Sequence, residues 1–183
     1  MTQELDLVNF ESLTPGAIAE ACQSAMDGCD AILARVVGIT GPRTLANTLL
    51  PLEEATDLVA GASGQHAFMA YVSADEALRN AAREWDEKLD KYMVALSFRE
   101  DLYEAIKAFS ITEEARALTG EDARWLAFEL RDYRRNGFDL PKEDRQRVRD
   151  LFDRLVELDV QFRKNIDDFE DGILVTREQV AMM

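Results

Sequence analysis

Histidine, cysteine, proline and glycine are all scarce in this chain. Its 183 residues include one His, two Cys, four Pro and nine Gly. So few turn formers leave long uninterrupted segments, which excludes a many-turned β-sandwich or barrel and favours helices. A zinc site takes three or four ligands at defined spacing. The lone His66, flanked by Gln65 and Ala67, cannot supply one with Cys22 and Cys29. His-Glu-x-x-His, the helical zinc-protease motif, is absent, as are a Gly-rich phosphate loop, a Gly-x-Ser-x-Gly elbow and a dinucleotide fingerprint. No apolar run approaches a membrane span, and the first ten residues have neither the basic start nor the apolar centre of a signal peptide. Positive charge is also in deficit: 21 Lys and Arg against 36 Asp and Glu give a formal charge of −15. That excess repels nucleic-acid backbones and anionic membranes, so neither is expected as a partner. It keeps the chain soluble, and a cytoplasmic location is expected.

What remains is helical patterning. Thr14-Pro15 reads as an N-cap followed by Pro at the first helical position. Ile18, Cys22, Ala25, Cys29, Ile32 and Val36 then recur at threes and fours until Gly38. The cysteines sit seven apart, roughly 10 Å along one helix, too far for a disulfide within it. They are expected as small apolar core thiols in a reducing compartment. After the turn at Gly41-Pro42, residues 44–50 read as a helical turn, and Pro51 starts or kinks a second segment with Leu52, Ala55, Leu58 and Val59 on its apolar side. Gly61 and Gly64 weaken that segment.

Two capping boxes follow, Ser73-x-x-Glu76 and Ser110-x-x-Glu113. Between them Leu78, Ala82, Trp85, Leu89, Tyr92, Leu96, Tyr103 and Ile106 trace one seam to about Phe109, with Arg99 falling where an apolar residue is expected. Residues 121–169 read as two helices joined at Asn136-Gly137, where Gly can adopt the left-handed conformation that stops a helix. The first carries Trp125, Leu126, Leu130 and Tyr133. The second, opened by Leu140-Pro141, carries Val148, Leu151, Phe152, Leu155, Leu158, Phe162, Ile166 and Phe169 as a helix-packing seam. A third capping box, Thr176-x-x-Gln179, has only four residues after it. It leads to the expectation that the polypeptide belongs to a larger fold.

The chemistry of catalysis is not legible in these helices. With 36 carboxylates, pairs on one helix face arise by chance, so their number points to no acid–base site. A four-carboxylate metal bundle would need inward Glu-x-x-His motifs, and there are none. His66 reads as a partly exposed helix residue.

Particular residues add what periodicity does not. Val72, Asp75, Leu78-Arg79 and Ala81, with Arg99-x-Asp101-Leu102-Tyr103 near the helix end, resemble the long N-terminal helix of the thimet oligopeptidase and oligopeptidase A (neurolysin-like) family of zinc metallopeptidases. Ala74 replaces the Pro of the family pattern. Asn47-Thr48 with Leu52-Glu53, Arg131-Asp132-Tyr133-Arg134-Arg135-Asn136-Gly137 with Leu140, and Phe162-x-x-Asn165 are similar to further segments in the family's order.

The resemblance implies an all-α fold of antiparallel long-helix hairpins, the N-terminal part of a two-lobed enzyme with a channel for short peptides. Its zinc and catalytic residues would lie in a C-terminal half without counterpart here. No catalytic, cofactor-binding or metal residue is therefore assigned to this chain, and Arg131-Asp132-Tyr133 are expected to serve interhelical packing. Residues 1–183 are expected to form one helical domain. Its parts are a helix over 14–37, a broken helix over 44–72, a long helix over 74–109, a short one over 112–118, a hairpin of 121–136 with 141–169, and a segment beginning at 173–183. The expected role is a channel-wall scaffold, inactive alone. Its partner would be the missing catalytic half, or a second copy through an exposed apolar face. The alternative is a standalone helical interaction module.

Overall fold

The computed structural model describes residues 9–167 together with Phe169, Asp171 and Gly172, and among them every regular element is helical. The segment expected over residues 173–183, with its capping box Thr176-x-x-Gln179, lies outside the described residues.

Helix α1 (Pro15–Val37) opens as its sequence dictates, with Thr14 Oγ1 accepting from Ala17 N at 3.2 Å. Its apolar stripe is fully occupied: Ile18, Cys22, Cys29, Leu33 and Val36 are buried. At its end, Gly38 is not left-handed (φ −70°). Arg43 instead donates to the Val36 carbonyl at 3.0 Å, supplying a partner to one of the terminal acceptors.

Helix α2 (Leu45–Ala62) begins in a reciprocal box: Thr44 Oγ1 accepts from Asn47 N, and Asn47 Oδ1 accepts from Thr44 N at 2.9 Å. Asn47 Nδ2 donates to the Pro42 carbonyl, and Thr48, a fully buried hydroxyl, donates to Asn47 Oδ1. These bonds explain locally why Asn-Thr stands at this point. The sequence allows a restart or a kink at Pro51; there is no restart, and one helix runs through it. Packing on α1 outweighs the hydrogen bond that Pro cannot donate.

From Ser63 to Ala67 the helix widens into a π turn, closed by Phe68 N donating to the Ser63 carbonyl at 2.9 Å. A single turn, α3 (Met69–Val72), follows.

The long helix expected over residues 74–109 is two helices, α4 (Glu76–Ser97) and α5 (Glu100–Ser110). Between them Phe98 (φ −107°) and Arg99 (ψ 114°) leave helical geometry. The break is stabilised by groups on both sides. Arg99 forks onto Asp101 at 3.0 and 2.7 Å, and Asp101 Oδ1 also accepts from Leu102 N. The caps also differ in detail from the expected boxes. Asp75, not Ser73, caps α4 by accepting from Leu78 N, while Ser73 Oγ accepts from Asp75 N. Thr112, not Ser110, caps α6 (Glu113–Ala117) by accepting from Ala115 N. A carboxylate or hydroxyl two residues nearer the first turn reaches its amide better.

Helices α7 (Gly120–Arg135) and α8 (Lys142–Asp167) follow. Gly137 (φ +87°) makes the turn between them. The core lies around α1, against which α2, α4 and α5 pack. α7 lies chiefly on α5, and α8 on α4. The two final helices are thus splayed onto different neighbours rather than closed on each other as a hairpin.

Candidate functional site

Helix α8 is the element whose sequence and burial disagree, and the disagreement has a definite shape. Its N-terminal end is tied to α5. Lys142 Nζ and Arg145 Nη1 both approach Glu100, at 3.2 and 3.6 Å, and hold that carboxyl below its ordinary range. The Arg145 guanidinium also lies 4.2 Å from the Phe138 ring centroid, a cation–π contact. Phe138 in turn packs with Tyr103 and Tyr133, centroids 4.7 and 5.0 Å away. Midway, Phe152 meets Phe98 edge-on at 5.6 Å. Phe98, the residue at the α4–α5 break, is thereby turned to receive α8.

Near its other end, Arg163 Nη1 donates to the Tyr71 hydroxyl at 3.0 Å, and that hydroxyl donates to the Asp86 carboxylate. Arg163 also pairs with Asp159. Burial pushes the neighbouring Asp90 carboxyl up, and the Asp86 charge pushes it further.

The face of α8 turned away from α4 carries Leu151, Leu155, Leu158 and Phe162 between these anchors, then Ile166 and, just beyond the helix end, Phe169. They range from 44% exposed at Leu158 to 72% at Phe169. The spacing that marks a packing seam is present, and among the described residues nothing packs on it. Burying such a side chain is worth about 1.5–3 kcal/mol. A contiguous apolar stripe of this size marks an interaction surface.

The other residues singled out in the sequence are dispersed. Cys22 and Cys29 are buried free thiols in the α1 stripe; burial pushes Cys22 up to about 11 and Cys29 in the same direction, so both are unreactive. His66 sits in the π turn with its Nδ1 buried and without a hydrogen-bond partner, and burial lowers its pKa. The Arg131-Asp132-Tyr133 run splits. Tyr133 is buried against Tyr103 and Phe138, the expected packing role, and burial drives its hydroxyl well above the ordinary range. Arg131 and Asp132 instead fork onto each other at the surface, at 2.8 and 3.0 Å, with Arg131 over Phe128. Their role is local, not interhelical. Among the described residues no group of three or more His, Cys, Asp or Glu is placed to hold a metal ion, so no metal-dependent step is derived from them. Nor is any described helix long and apolar enough to cross a membrane.

Comparison with known proteins gives a consistent set of relatives. No family model matches the chain. It is 31% identical over 142 residues to a thimet-like oligopeptidase of Dictyostelium discoideum, a match covering 75% of this chain and 21% of that protein. It is 27% identical over 167 residues to oligopeptidase A of Escherichia coli (91% and 25%) and 20% identical over 171 residues to saccharolysin of Saccharomyces cerevisiae (92% and 24%). The chain thus spans about a fifth to a quarter of the length of these relatives.

Proposed function

Since the chain belongs to the thimet oligopeptidase family, we propose that it is the helical, channel-wall portion of an oligopeptidase acting on short peptides. In this proposal the zinc and the catalytic groups come from sequence outside these 183 residues. The observation that carries it is the uncovered stripe Leu151–Leu155–Leu158–Phe162 on a helix fixed at both ends. A helix held rigidly with its apolar seam outward is preorganised to receive a packing partner. In an enzyme nearly four times longer, the remaining polypeptide is the natural occupant. The short span of every match supports the same assignment. Two buried free thiols support a reducing, cytoplasmic setting.

The chain alone is then expected to bind no stoichiometric zinc and to leave a quenched short peptide uncut. Elemental analysis and a fluorogenic assay test this; chelator-sensitive cleavage by the 183 residues would refute it. A standalone interaction module is the second reading, supported by the complete core around α1. It expects a monodisperse protein that does not bind a hydrophobic dye, whereas the scaffold reading expects dye binding and self-association through α8.

A further inference from the structure

A cavity of about 400 Å³ opens between α2, α4, α5 and α7, and no residue of α8 lines it. Its floor is apolar: Leu33, Leu96, Leu102 and Ile106 are all buried there. Met93, Trp125 and Tyr133 also line it. Its polar lining includes the neutral Thr56, Ser97 and Asn136, and its charged lining is of one sign. Glu53 and Asp57, one turn apart on α2, face Glu129 and Asp132 on α7, and no Lys, Arg or His lines the space.

The nearby cations engage Asp132 and Phe128, so of the four carboxylates Asp132 is already paired. Arg131 and Arg135 pair with Asp132, and Arg124 and Arg131 both lie over Phe128. Among the described residues Glu53, Asp57 and Glu129 have no cationic partner. Trp125 Nε1 donates to Glu129 Oε1 at 3.1 Å, which leaves the second oxygen of that carboxylate without a protein donor. Burial, and then the charges of Asp132 and Glu53, push the Glu129 carboxyl up. Like charges held around an apolar floor cost stability unless a counter-charge relieves them. The volume falls in the range of small-molecule sites, where an apolar lining supplies affinity and a few polar groups set orientation.

We propose that this cavity binds an organic cation. Its apolar body fills the Leu33–Leu102–Ile106 floor, and its ammonium or guanidinium group sits among Glu53, Asp57 and Glu129. The Trp125 ring, already fixed by its bond to Glu129, offers a face for the cation as well. Two sources have this chemistry: a free aralkyl or alkyl amine, and the basic side chain of a peptide. The inference does not depend on whether the chain works within a peptidase.

Isothermal titration of the full chain with phenethylamine, 2-phenylethanol and 3-phenylpropionate tests it, with Trp125 fluorescence followed in a Trp85→Phe background. The ammonium is expected to saturate and to perturb Trp125. The alcohol should bind about tenfold more weakly and the carboxylate more weakly still. The double variant Glu53→Gln, Glu129→Gln, checked for folding by circular dichroism, should lose about tenfold in affinity for the ammonium and keep its affinity for the alcohol. Should that variant fail to fold, salt gives the same information in the unaltered chain: added NaCl weakens the ammonium and not the alcohol. N-acetyl-Leu-Arg-amide that competes with phenethylamine assigns the peptide source; failure to compete assigns the free amine. Equal affinity for ammonium and alcohol would overturn the inference. So would tighter binding of the carboxylate, ammonium binding unchanged in the double variant, or no saturation by about 10 mM, a Kd too weak for a built site.

Discussion

The side-chain amide of Asn136 donates to the main-chain carbonyl of Ser97 at 3.1 Å, across 39 residues of sequence. Asn136 is the last residue before the turn glycine of α7, and Ser97 is the last residue of α4. One bond therefore joins the end of one helix to the interruption of another. The break after Ser97 frees terminal carbonyls, and Asn136 satisfies one of them from a distant part of the chain.

Replacing Asn136 by Ala should accordingly destabilise the protein by about 1 kcal/mol, the usual worth of such a bond plus part of the cost of an orphaned acceptor. Asn136→Asp, which keeps the shape but loses the donor, should cost at least as much. Denaturant unfolding measures both; an unchanged midpoint for the two variants would mean that water replaces the bond without loss.

Gly137 and Gly61 should respond to alanine with opposite signs. Gly137 has φ +87°, and a Cβ there would stand 3.3 Å from Leu140 Cδ1. Gly137→Ala is expected to cost about 1 kcal/mol or more. Gly61 lies within α2 with nothing near its Cβ position, so Gly61→Ala should stabilise by about 0.5–1 kcal/mol. Thermal melts of the two variants on either side of the parent would bear out both assignments.

Glu129→Gln should raise stability at neutral pH. The folded carboxyl titrates above its unfolded value because of burial and then the Asp132 and Glu53 charges. The native state therefore holds the proton more tightly. Its stability falls as pH rises through the folded pKa and is regained as pH falls back through it. The neutral amide, which can still accept from Trp125, escapes that loss. The advantage of the variant should be fully present at pH 7 and disappear below the ordinary Glu range. An advantage that persists at pH 3 would contradict this origin.

Leu155→Glu with Phe162→Glu should abolish dye binding and self-association while leaving the unfolding midpoint nearly unchanged. Both side chains are about 60% or more exposed, and exposed substitutions usually shift stability by no more than about 0.5 kcal/mol. A large loss of stability would show that the stripe is covered within the isolated chain.

Local chemistry made much of the fold legible. Thr14-Pro15 and Asn136-Gly137 announce their helix ends because the groups that cap or turn the chain lie within a few residues. The α1 stripe was readable for the same reason: its spacing is the helix period, and its side chains are buried. The interruption at Phe98-Arg99 was not, since its compensation comes partly from Asn136; Arg99 in an apolar register was the one local sign. Pro51 misleads in the other direction, because packing carries the helix through it. Ser73 and Ser110 each fit a capping pattern that Asp75 and Thr112 satisfy better. The α8 stripe shows the limit of periodicity, which identifies a face made for packing without saying what packs on it. The cavity had no sequence signal, as its lining comes from helices far apart in the chain.

The π turn at Ser63–Ala67 is equivalent to one residue inserted into an α-helix. Each added residue turns everything after it by roughly 100° about the axis. Tyr71 lies just downstream and owes to that turn its alignment with Asp86 and Arg163. Deleting Gly64 to restore ordinary helical register would swing Tyr71 away from both and release the far end of α8. The length of this segment, rather than the identity of its residues, sets how the far end of α8 is fastened, so a relative one residue shorter here would have to fasten that end by other means.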